Sequence, residues 1–339
     1  MTPQPQAPPP HAAVLQILMG RRVASIISVV AKLGIADYLE AGPKTAAELA
    51  GMVDADAGSL YRLLRAAASV GLTAEGADGK FSQTPMSEVL RSNAKPSLRA
   101  FSMMGSMDLV ARTWDNLEYS VRTGKPAVEK VYGKPVFEYL QEHREDAALF
   151  NEAMTAISTI DSAPVAEAYS FEGIHSLIDV AGGHGLLLAT ILQRNPQIKG
   201  TLYELPSVLE GAASGPLAPV MDRCTLLGGD IFTSVPVGYD AYIMKHIIHD
   251  WPDDVCVKIL QHCRKGVNPG GKLLVADAVI QPGNDPDFGK ILDLEMLVLP
   301  GGRERTEQQF GELFSAAGWR LSRVIHTRSP VSIVEGVPA

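Results

Sequence analysis

The sequence predicts an α/β protein in which a doubly wound, Rossmann-like sheet domain follows an all-helical, winged-helix-like domain. From about residue 176 onward, short β-rich runs alternate with helical segments, which is typical of a parallel sheet with helices on both faces. Before residue 96, two amphipathic helical segments precede a hairpin signal, which is the element order of a winged helix. The length of 339 residues is enough for about two domains of roughly 150 residues each.

Composition excludes several classes of protein. The net charge of −8 offers no general attraction to phosphate backbones or anionic lipid, so we expect neither a nucleic-acid nor a membrane partner. No uninterrupted apolar run approaches the ~20 residues that a bilayer crossing needs, and the N-terminus lacks the pattern of a signal peptide. The cysteines, Cys224, Cys256 and Cys263, have no metal-ligand spacing and are too few for a disulfide framework. We therefore expect a cytoplasmic protein.

The N-terminal region begins with a proline-rich stretch, and we predict a disordered tail over residues 1–12. A winged-helix-like domain is predicted over residues 13–95. Its first helix, over residues 14–39, has so few polar positions that it should be buried on more than one side. A capping box, Thr45 with Glu48 three residues later, opens a short second helix.

A third helix is predicted over residues 56–70, and a Gly-Ala-Asp-Gly turn at residues 76–79 then predicts a hairpin. A winged helix can bind DNA or can serve only as a packing module. Residues 1–90 contain seven Lys and Arg against eight Asp and Glu, whereas a DNA-reading domain needs a basic stripe. The charge favours packing.

Residues 96–170 have mostly helical patterns, with breaks at Gly124-Lys125-Pro126 and Gly133-Lys134-Pro135. We predict that this segment is a helical linker that contributes to a ligand pocket. The sheet domain is predicted over residues 171–339, with strands near residues 177–180, 200–203, 224–227, 241–244 and 273–276. In such sheets, ligands bind beyond the carboxyl ends of the strands.

The first strand leads into a glycine-rich turn containing Gly182, Gly183 and Gly185. Glycine permits a tight turn and lets a ligand lie against the main chain. The spacing is not the G-x-G-x-x-G that places a pyrophosphate on a helix N-terminus, so a cofactor without phosphates is favoured. Glycine-rich turns also occur for packing alone.

Three later strands each end in a polar side chain that could bind a ligand. Glu204 ends the second strand and could accept two hydrogen bonds from a ribose diol. Asp230 and the apolar Ile231 follow the third strand and could contact an adenine, and Lys245 lies at the end of the fourth. Any one of these could be a solvated charge, but together at one end of a sheet they predict an adenosine-containing ligand.

Six motifs then occur in a familiar order. They are DVAGGHG at 179–185, YELP at 203–206, GGDIF at 228–232, MKHIIHDWPDD at 244–254, NPGGKLLVAD at 268–277 and LPGGRERTEQQF at 299–310. Together they resemble the class I S-adenosylmethionine-dependent O-methyltransferases of the plant caffeate and flavonoid type and the bacterial natural-product type. The resemblance runs from about residue 14 onward. Ala181, where the family more often has Gly, and Glu204, where it more often has Asp, depart from the pattern.

The resemblance implies S-adenosylmethionine as cofactor. Carried over by motif, the three glycines would surround its methionine portion, Glu204 its ribose, Asp230 and Ile231 its adenine, and Lys245 its far side. It also implies interlocked N-terminal domains and therefore a homodimer, which agrees with the excess apolar surface of the first helix.

The methyl group of S-adenosylmethionine is already activated, so a base near a phenol suffices. His249, in the H-D-W motif after the fourth strand, is the predicted general base, because a histidine accepts a proton near neutral pH. His246, one turn earlier, serves as an internal comparison, since most histidines are structural. Glu304 is the predicted carboxylate partner of His249. Asp277 occupies a second supporting position, although it is one methylene shorter than the Glu of plant members, which leaves its contact with His249 open.

The acceptor would be an aromatic small molecule. Apolar residues of the linker and of the segment before Glu304 are expected to bind it: Met103, Met107, Trp114, Phe150, Met154 and Met296. Each of these could equally be core. We predict no metal, because the acids belong to separate motifs that match other roles.

Three other functions are compatible with parts of the sequence. An NAD-dependent oxidoreductase would need the missing G-x-G-x-x-G, and a winged-helix ligand-sensing regulator would need a less acidic N-terminal region. A methyltransferase-like enzyme that uses the cofactor structurally, for hydroxylation or decarboxylation, is disfavoured by the presence of both His249 and Glu304.

Overall fold

The computed structural model describes residues 9–339, which form two compact units. One comprises the described residues up to Ala111 together with His143–Ile157, and the other comprises Arg112–Glu142 and Ser158–Ala339. Most of the predicted disordered tail, residues 1–8, lies outside the described residues. The first helix begins earlier than predicted, with Pro10 at its first position, where proline's missing N–H costs nothing.

Eleven helices and three short strands precede the large sheet within the described residues. They are α1 Pro10–Lys32, α2 Ile35–Leu39, β1 Lys44–Thr45, α3 Ala46–Val53, α4 Ala57–Ser69, β2 Thr73–Glu75, β3 Lys80–Gln83, α5 Pro85–Glu88, α6 Arg99–Met104, α7 Asp108–Trp114, α8 Leu117–Thr123, α9 Ala127–Tyr132, α10 Val136–Glu142 and α11 Arg144–Ala168.

The remaining elements alternate between strand and helix. They are β4 Ser176–Val180, α12 Leu186–Arg194, β5 Lys199–Glu204, α13 Pro206–Leu209, β6 Cys224–Gly228, β7 Tyr239–Lys245, α14 Asp253–Gly266, β8 Val267–Asp277, β9 Val279–Ile280, α15 Phe288–Val298, β10 Arg305–Thr306, α16 Glu307–Ala316, β11 Trp319–His326 and β12 Ser332–Pro338. Short 3₁₀ turns cover Ala212–Ser214, Ala218–Arg223 and Ile248–Asp250.

The winged-helix order is confirmed. Thr45 and Glu48 form the predicted capping box at the start of α3. After α4, β2 and β3 pair antiparallel, with β1 on the other edge of β3. Leu49, Leu64 and Phe81 belong to the buried core of this part. In the following segment, Gly124 and Gly133, both with left-handed backbone, end α8 and α9 at the predicted breaks.

The prediction that the first helix is buried on more than one side is wrong for the single chain. Buried residues of α1 are confined to its last turns, at Ser28, Val30 and Ala31. Its first half leaves large apolar side chains exposed, at Val14, Leu15, Ile17, Leu18 and Met19. An apolar face without a partner in its own chain is typical of an interaction surface.

By length and composition, α1 is also the one helix of the described residues that could cross a membrane. The expectation that no apolar segment is long enough is therefore corrected. The adjacent Arg21 and Arg22 interrupt the apolar run at its middle, but they do not lower the mean hydropathy enough to exclude a span.

The large sheet has seven strands in the order β11-β12-β8-β7-β4-β5-β6. All five predicted strands are present, and β4 to β8 pair in parallel. The sheet is mixed, because β12 runs antiparallel to both β8 and β11. Successive residues of β4 face opposite cores, Leu177 packing with α12 and Ile178 with α14 and α16. Helices on both faces leave the carboxyl ends of the strands as the open edge of the sheet.

Candidate active site

The turn after β4 has a backbone that only small residues adopt easily. Ala181, Gly183 and Gly185 all have positive φ, at 57°, 59° and 77°. A Cβ at Gly182 would lie 2.4 Å from the carboxylate of Asp179, so glycine is required there. A Cβ at Gly183 would meet nothing within 4 Å, which means that the turn borders open space on that side.

Asp179 was missed by sequence reasoning. It is buried in β4, and its Oδ2 has no hydrogen-bond partner within the described part of the chain. Burial raises its pKa to about 7; the charge of Lys245 opposes this rise and that of Glu204 adds to it. The sequence signal that could have indicated it is an acidic residue within an otherwise apolar strand. A buried carboxylate with an unused oxygen is suited to a cationic ligand.

Glu204 ends β5 and is nearly buried. Its Oε1 accepts from the N–H of Leu205 at 2.8 Å, and its Oε2 accepts from the N–H of Gly183 at 3.4 Å. Burial raises the pKa of this carboxyl, and those two hydrogen bonds lower it. Glu204 therefore ties the glycine turn to the end of the next strand, and it retains lone pairs for a ligand.

Asp230 and Ile231 follow β6. Asp230 Oδ1 accepts from the N–H of Phe232 at 2.9 Å, and Ile231 packs against the core. Lys245 ends β7, and its Nζ donates to Ser158 Oγ at 3.0 Å. Burial lowers the pKa of Lys245, and the charges of nearby acids, Asp161 first, raise it. The strand-end positions of these residues agree with the sequence prediction.

His249 lies in the 3₁₀ turn after β7 and is only 6% exposed. Its Nδ1 is 2.6 Å from Glu304 Oε1, so the ring N–H donates to that carboxylate. Its Nε2 is 3.6 Å from Asp250 Oδ1, which is beyond a good hydrogen bond. The structure thus brings the two predicted residues together and leaves Nε2 available to a ligand.

The segment around Glu304 is fastened to the turn that carries His249. The N–H of Arg303 donates to the His249 carbonyl at 2.9 Å, and the N–H of Glu304 donates to Asp293 Oδ1 at 2.9 Å. A Cβ at Gly302 would lie 2.0 Å from the same His249 carbonyl, so only glycine allows this approach. The parallel pairing of β10 with β9 fixes the register of the segment.

Arg305, which follows Glu304 directly, is fully buried. Its guanidinium donates to the carbonyls of Ile248 at 3.0 Å and Trp251 at 3.1 Å, and to Asp253 Oδ1 at 2.7 Å. It therefore supports the His249 turn from behind. These partners lie about fifty residues away in sequence, and no local pattern indicates them.

The electrostatics of the pair favour a proton on His249. Burial disfavours the charged ring, but the charges of Asp250, Asp277 and Glu304 outweigh it and raise the pKa of His249 to about 10. Burial also raises the pKa of Glu304, while the hydrogen bond from His249 lowers it, and burial raises that of Asp250 to about 6.

Asp277 is fully buried at the end of β8. Its Oδ1 accepts from the backbone N–H of His246 at 2.8 Å, and its Oδ2 is without a partner in residues 9–339. Asp277 thus acts on His249 through its charge, with a ligand atom of each within 4.8 Å. His246, which the sequence analysis used only as a comparison, lies beside His249, with ring centroids 5.1 Å apart. Its Nε2 is 3.1 Å from Asp161 Oδ2.

Two of the predicted acceptor residues belong to the second unit. The indole N–H of Trp114 donates to the carboxylate of Glu295 on α15, and Met296 on the same helix is buried. The other four belong to the first unit: Met103, Met107, Phe150 and Met154. Met107 is buried there, whereas Met154 is exposed.

Comparison with known proteins agrees with this geometry. The family model of the O-methyltransferase domain matches residues 114–320, and that of the O-methyltransferase dimerisation domain matches residues 15–93. The phenazine O-methyltransferase PhzM of Lysobacter antibioticus is 40% identical over 333 residues, which is 98% of this chain and 97% of that protein. The mitomycin biosynthesis 6-O-methyltransferase of Streptomyces lavendulae is 36% identical over 95% of this chain and 93% of its own length.

Among solved structures, that of the neocarzinostatin-biosynthesis O-methyltransferase NcsB1, in complex with S-adenosylmethionine and 2-hydroxy-5-methyl naphthoic acid, superposes with a TM-score of 0.78. It is 32% identical and covers 93% of this chain and 96% of its own. Both matched domains, the buried His–Glu pair and the polar residues at the strand ends lead to one conclusion: the chain belongs to the S-adenosylmethionine-dependent O-methyltransferases.

Proposed function

We propose that this enzyme methylates a hydroxyl group of an aromatic small molecule, with His249 as the general base. The observation that carries the proposal is the 2.6 Å contact between His249 Nδ1 and Glu304 Oε1, which leaves Nε2 directed away from its carboxylate partner. The carboxylate fixes the ring orientation and the tautomer, as a catalytic histidine requires.

The strand ends fit the cofactor. The unused oxygen of Asp179 suits a cationic group, the open space beside Gly183 admits a ligand against the backbone, and Glu204 retains lone pairs for a diol. When bound, S-adenosylmethionine supplies an electrophilic methyl group on a positively charged sulfur. Gly182 and Gly185 would shape the turn around it, and Asp230, Ile231 and Lys245 would hold its remaining parts.

The side chains of the enzyme must then make the acceptor oxygen nucleophilic. His249 Nε2 accepts the hydroxyl proton of the acceptor as the oxygen becomes nucleophilic, and Glu304 stabilises the resulting imidazolium through Nδ1. Asp250 and Asp277 add negative charge around the same ring. Because these acids are arranged around a histidine, we propose that no metal is needed, and EDTA should leave the rate unchanged.

The acceptor class follows from the relatives and from one local feature. Relatives are named for phenazine, 3-amino-4-hydroxybenzoate and a dihydroxynaphthoate, all aromatic. Beside the His249 turn, Trp251 contacts both Phe137 and Phe232, with ring centroids 5.7 and 4.8 Å away. Aromatic side chains pack favourably against other aromatic rings, so this cluster supports an aromatic acceptor. We also propose that the methionine and aromatic residues predicted from the sequence contact the acceptor.

We also propose an oligomeric state and a location for the protein. The dimerisation-domain match and the exposed apolar face of α1 support a homodimer. The likeness to biosynthetic enzymes and three unpaired cysteines support a cytoplasmic location.

The decisive test compares His249→Ala with His175→Ala, which removes an exposed histidine. The first variant should lose about 10²–10⁴-fold in rate, which is the usual contribution of a general base, while its affinity for S-adenosylmethionine stays unchanged. A hydroxyphenazine, a hydroxynaphthoate and 3-amino-4-hydroxybenzoate serve as acceptors. Near-wild-type turnover by His249→Ala on a neutral phenol would rule out the base assignment.

Product masses separate the remaining alternatives. A gain of one methyl on oxygen supports the proposal, whereas hydroxylated or decarboxylated products would mean that the cofactor is used structurally. One relative, an N,N-dimethyltransferase acting on 8-amino-8-demethylriboflavin, is 33% identical, so the amino group of 3-amino-4-hydroxybenzoate tests for N-methylation in the same reaction.

A further inference from the structure

Behind the general base, two histidines and an acid converge. Here these three residues, His246, His249 and Asp277, are called the histidine cluster. One ring nitrogen of each histidine and one carboxylate oxygen of Asp277 all lie within 4.8 Å of one another. The two rings are inclined by 30° with centroids 5.1 Å apart. The cluster sits at the carboxyl ends of the adjacent strands β7 and β8.

Each histidine of the cluster is already oriented by a carboxylate on its far side. Glu304 binds Nδ1 of His249 at 2.6 Å, and Asp161 binds Nε2 of His246 at 3.1 Å. The remaining nitrogens are therefore Nε2 of His249 and Nδ1 of His246. A histidine that ligates a metal almost always donates its other ring N–H to such a carboxylate.

Two polar atoms of the cluster have no hydrogen-bond partner in the described residues. Nδ1 of His246 and Oδ2 of Asp277 are both buried and lack a hydrogen-bond partner there. A buried polar atom that stays unpaired is costly, and a ligand that satisfies two at once removes that cost. Two imidazoles and one carboxylate form a donor set that suits Zn²⁺ and Co²⁺.

The surrounding charges are mixed. Asp250, Asp277 and Glu304 attract a cation, whereas the half-buried Lys245 beside the cluster repels one. Zn–N bonds of about 2.0–2.1 Å place tetrahedral ligands about 3.4 Å apart. Because the ligand atoms lie up to 4.8 Å apart, the side chains must close by up to about 1.4 Å to bind the ion. Because the site needs this movement and has a lysine beside it, we expect it to bind metal reversibly when metal ions are added, and not to hold a metal permanently.

We propose that the histidine cluster binds one divalent transition-metal ion and that the ion inhibits methyl transfer by occupying Nε2 of His249. The inhibition rests on the proposed role of His249 as base, whereas the binding does not. The enzyme therefore works without metal and is switched off by zinc, so chelation restores activity instead of abolishing it.

Binding is tested without any catalytic readout. Full-length, chelator-treated enzyme is titrated with Co²⁺ and followed by its visible absorption, which reports nitrogen and oxygen coordination. We expect one ion per chain, displaced by Zn²⁺. His246→Gln and Asp277→Asn should each weaken binding at least tenfold, whereas the matched control His175→Gln should bind like wild type. Binding unchanged in both cluster variants, or no saturable absorption, would overturn the site.

Inhibition is tested separately by methyl transfer in the presence of Zn²⁺. Wild type and His175→Gln should lose activity in step with zinc occupancy and regain it with EDTA. The activity that remains in His246→Gln should be at least tenfold less sensitive to zinc. If His246→Gln fails to fold, Asp161→Asn, which releases the outer nitrogen of His246, replaces it and should also lower zinc affinity. One bound ion with full activity would overturn the inhibition alone, and an active His249→Ala would overturn the base assignment alone.

Discussion

A histidine with three acids around it is a stronger base than a free histidine, but it holds its proton longer. The pKa of His249 is raised to about 10, above the usual value near 6.5. Only the deprotonated ring can accept a proton, so activity falls as pH drops through the raised pKa. For the free enzyme, this ionisation governs kcat/KM.

We therefore expect kcat/KM for a neutral phenol to rise with pH through the alkaline range, well above the range of an ordinary histidine. Glu304→Gln should move the midpoint to lower pH, because its charge and hydrogen bond both raise the pKa of His249. On the alkaline plateau, where the ring is deprotonated in both enzymes, kcat/KM should drop about 10–100-fold, which matches the loss of a hydrogen bond to a charged group of about 1.5–3 kcal/mol.

Glu307→Gln, an exposed carboxylate three residues further on, is the matched control for the pH profile. A phenol that is already ionised should give a flat profile, since it needs no base. If Glu304→Gln keeps the wild-type midpoint, the two groups do not titrate together and the pair is only structural.

Glu204 offers a second test at the level of single residues. Removing its carboxylate in Glu204→Ala should weaken S-adenosylmethionine and its demethylated product to a similar degree, about 10–100-fold, because hydrogen bonds to a charged group are lost. Glu210→Ala removes an exposed acid nearby and should change nothing. Calorimetric titration gives both affinities, and equal dissociation constants in wild type and Glu204→Ala would remove Glu204 from the ribose role.

The sequence predicted the positions of three candidate site residues at the ends of strands. Glu204, Asp230 and Lys245 end or follow strands, and that placement follows from alternating strands and helices. Asp161 and Arg305 could not be predicted, because their roles depend on partners far away in the chain: Asp161 orients a ring 85 residues later, and Arg305 binds carbonyls more than 50 residues earlier.

At the level of elements, the proposed general base depends on two segments held together, the turn Ile248–Asp250 and the stretch before β10. The backbone contact of Gly302 brings them within reach, and Arg305 fixes them by binding the carbonyls of Ile248 and Trp251. We infer that Arg305 is a positioning residue, which acts on chemistry only through the placement of His249.

Arg305→Met should lower the free energy of unfolding by about 1–3 kcal/mol for each carbonyl left without a donor. It should also lower kcat while cofactor affinity stays near wild type, and shift the pH midpoint of kcat/KM, since the His249–Glu304 distance is no longer fixed. Arg303→Met is the control, because Arg303 pairs with the same Asp253 from an exposed position. A stability loss with an unchanged kcat and pH profile would make Arg305 purely structural.

The elements themselves were predictable where a local pattern indicates them. The capping box at Thr45 and the glycines that end α8 and α9 are local signals, and the structure has them. The antiparallel insertion of β12 between β8 and β11 was not predicted, because strand order depends on which edge a strand pairs with and not on its own residues.

On the scale of the whole molecule, α1 has an apolar face that its own chain does not cover. Its sequence predicts burial on more than one side, yet its first half is exposed in the single chain. The predicted burial and the observed exposure are compatible if a surface outside this chain covers the helix. A bilayer is disfavoured, since Arg21 and Arg22 lie mid-helix and each costs about 2.5–3.5 kcal/mol at a membrane centre.

A second copy of the chain is the partner that the observations favour, because the dimerisation-domain match begins at residue 15, inside this exposed face. Ile17 is 77% exposed and Leu18 59%, and fully burying such a side chain stabilises by about 1.5–3 kcal/mol. Charging both in Ile17→Asp/Leu18→Asp should therefore remove several kcal/mol from association.

We expect wild type to sediment as a dimer at micromolar concentrations and the double variant to sediment as a monomer or to aggregate, as should a truncation of residues 1–40. Val121→Asp, which charges a side chain 66% exposed on α8, is the control and should leave the dimer intact. Cofactor affinity measured on the soluble fraction of the double variant distinguishes lost association from lost folding, because the strand-end site lies wholly within Arg112–Glu142 and Ser158–Ala339. A wild-type monomer across the micromolar range, with α1 intact, would contradict the dimer and leave the exposed apolar face to another partner.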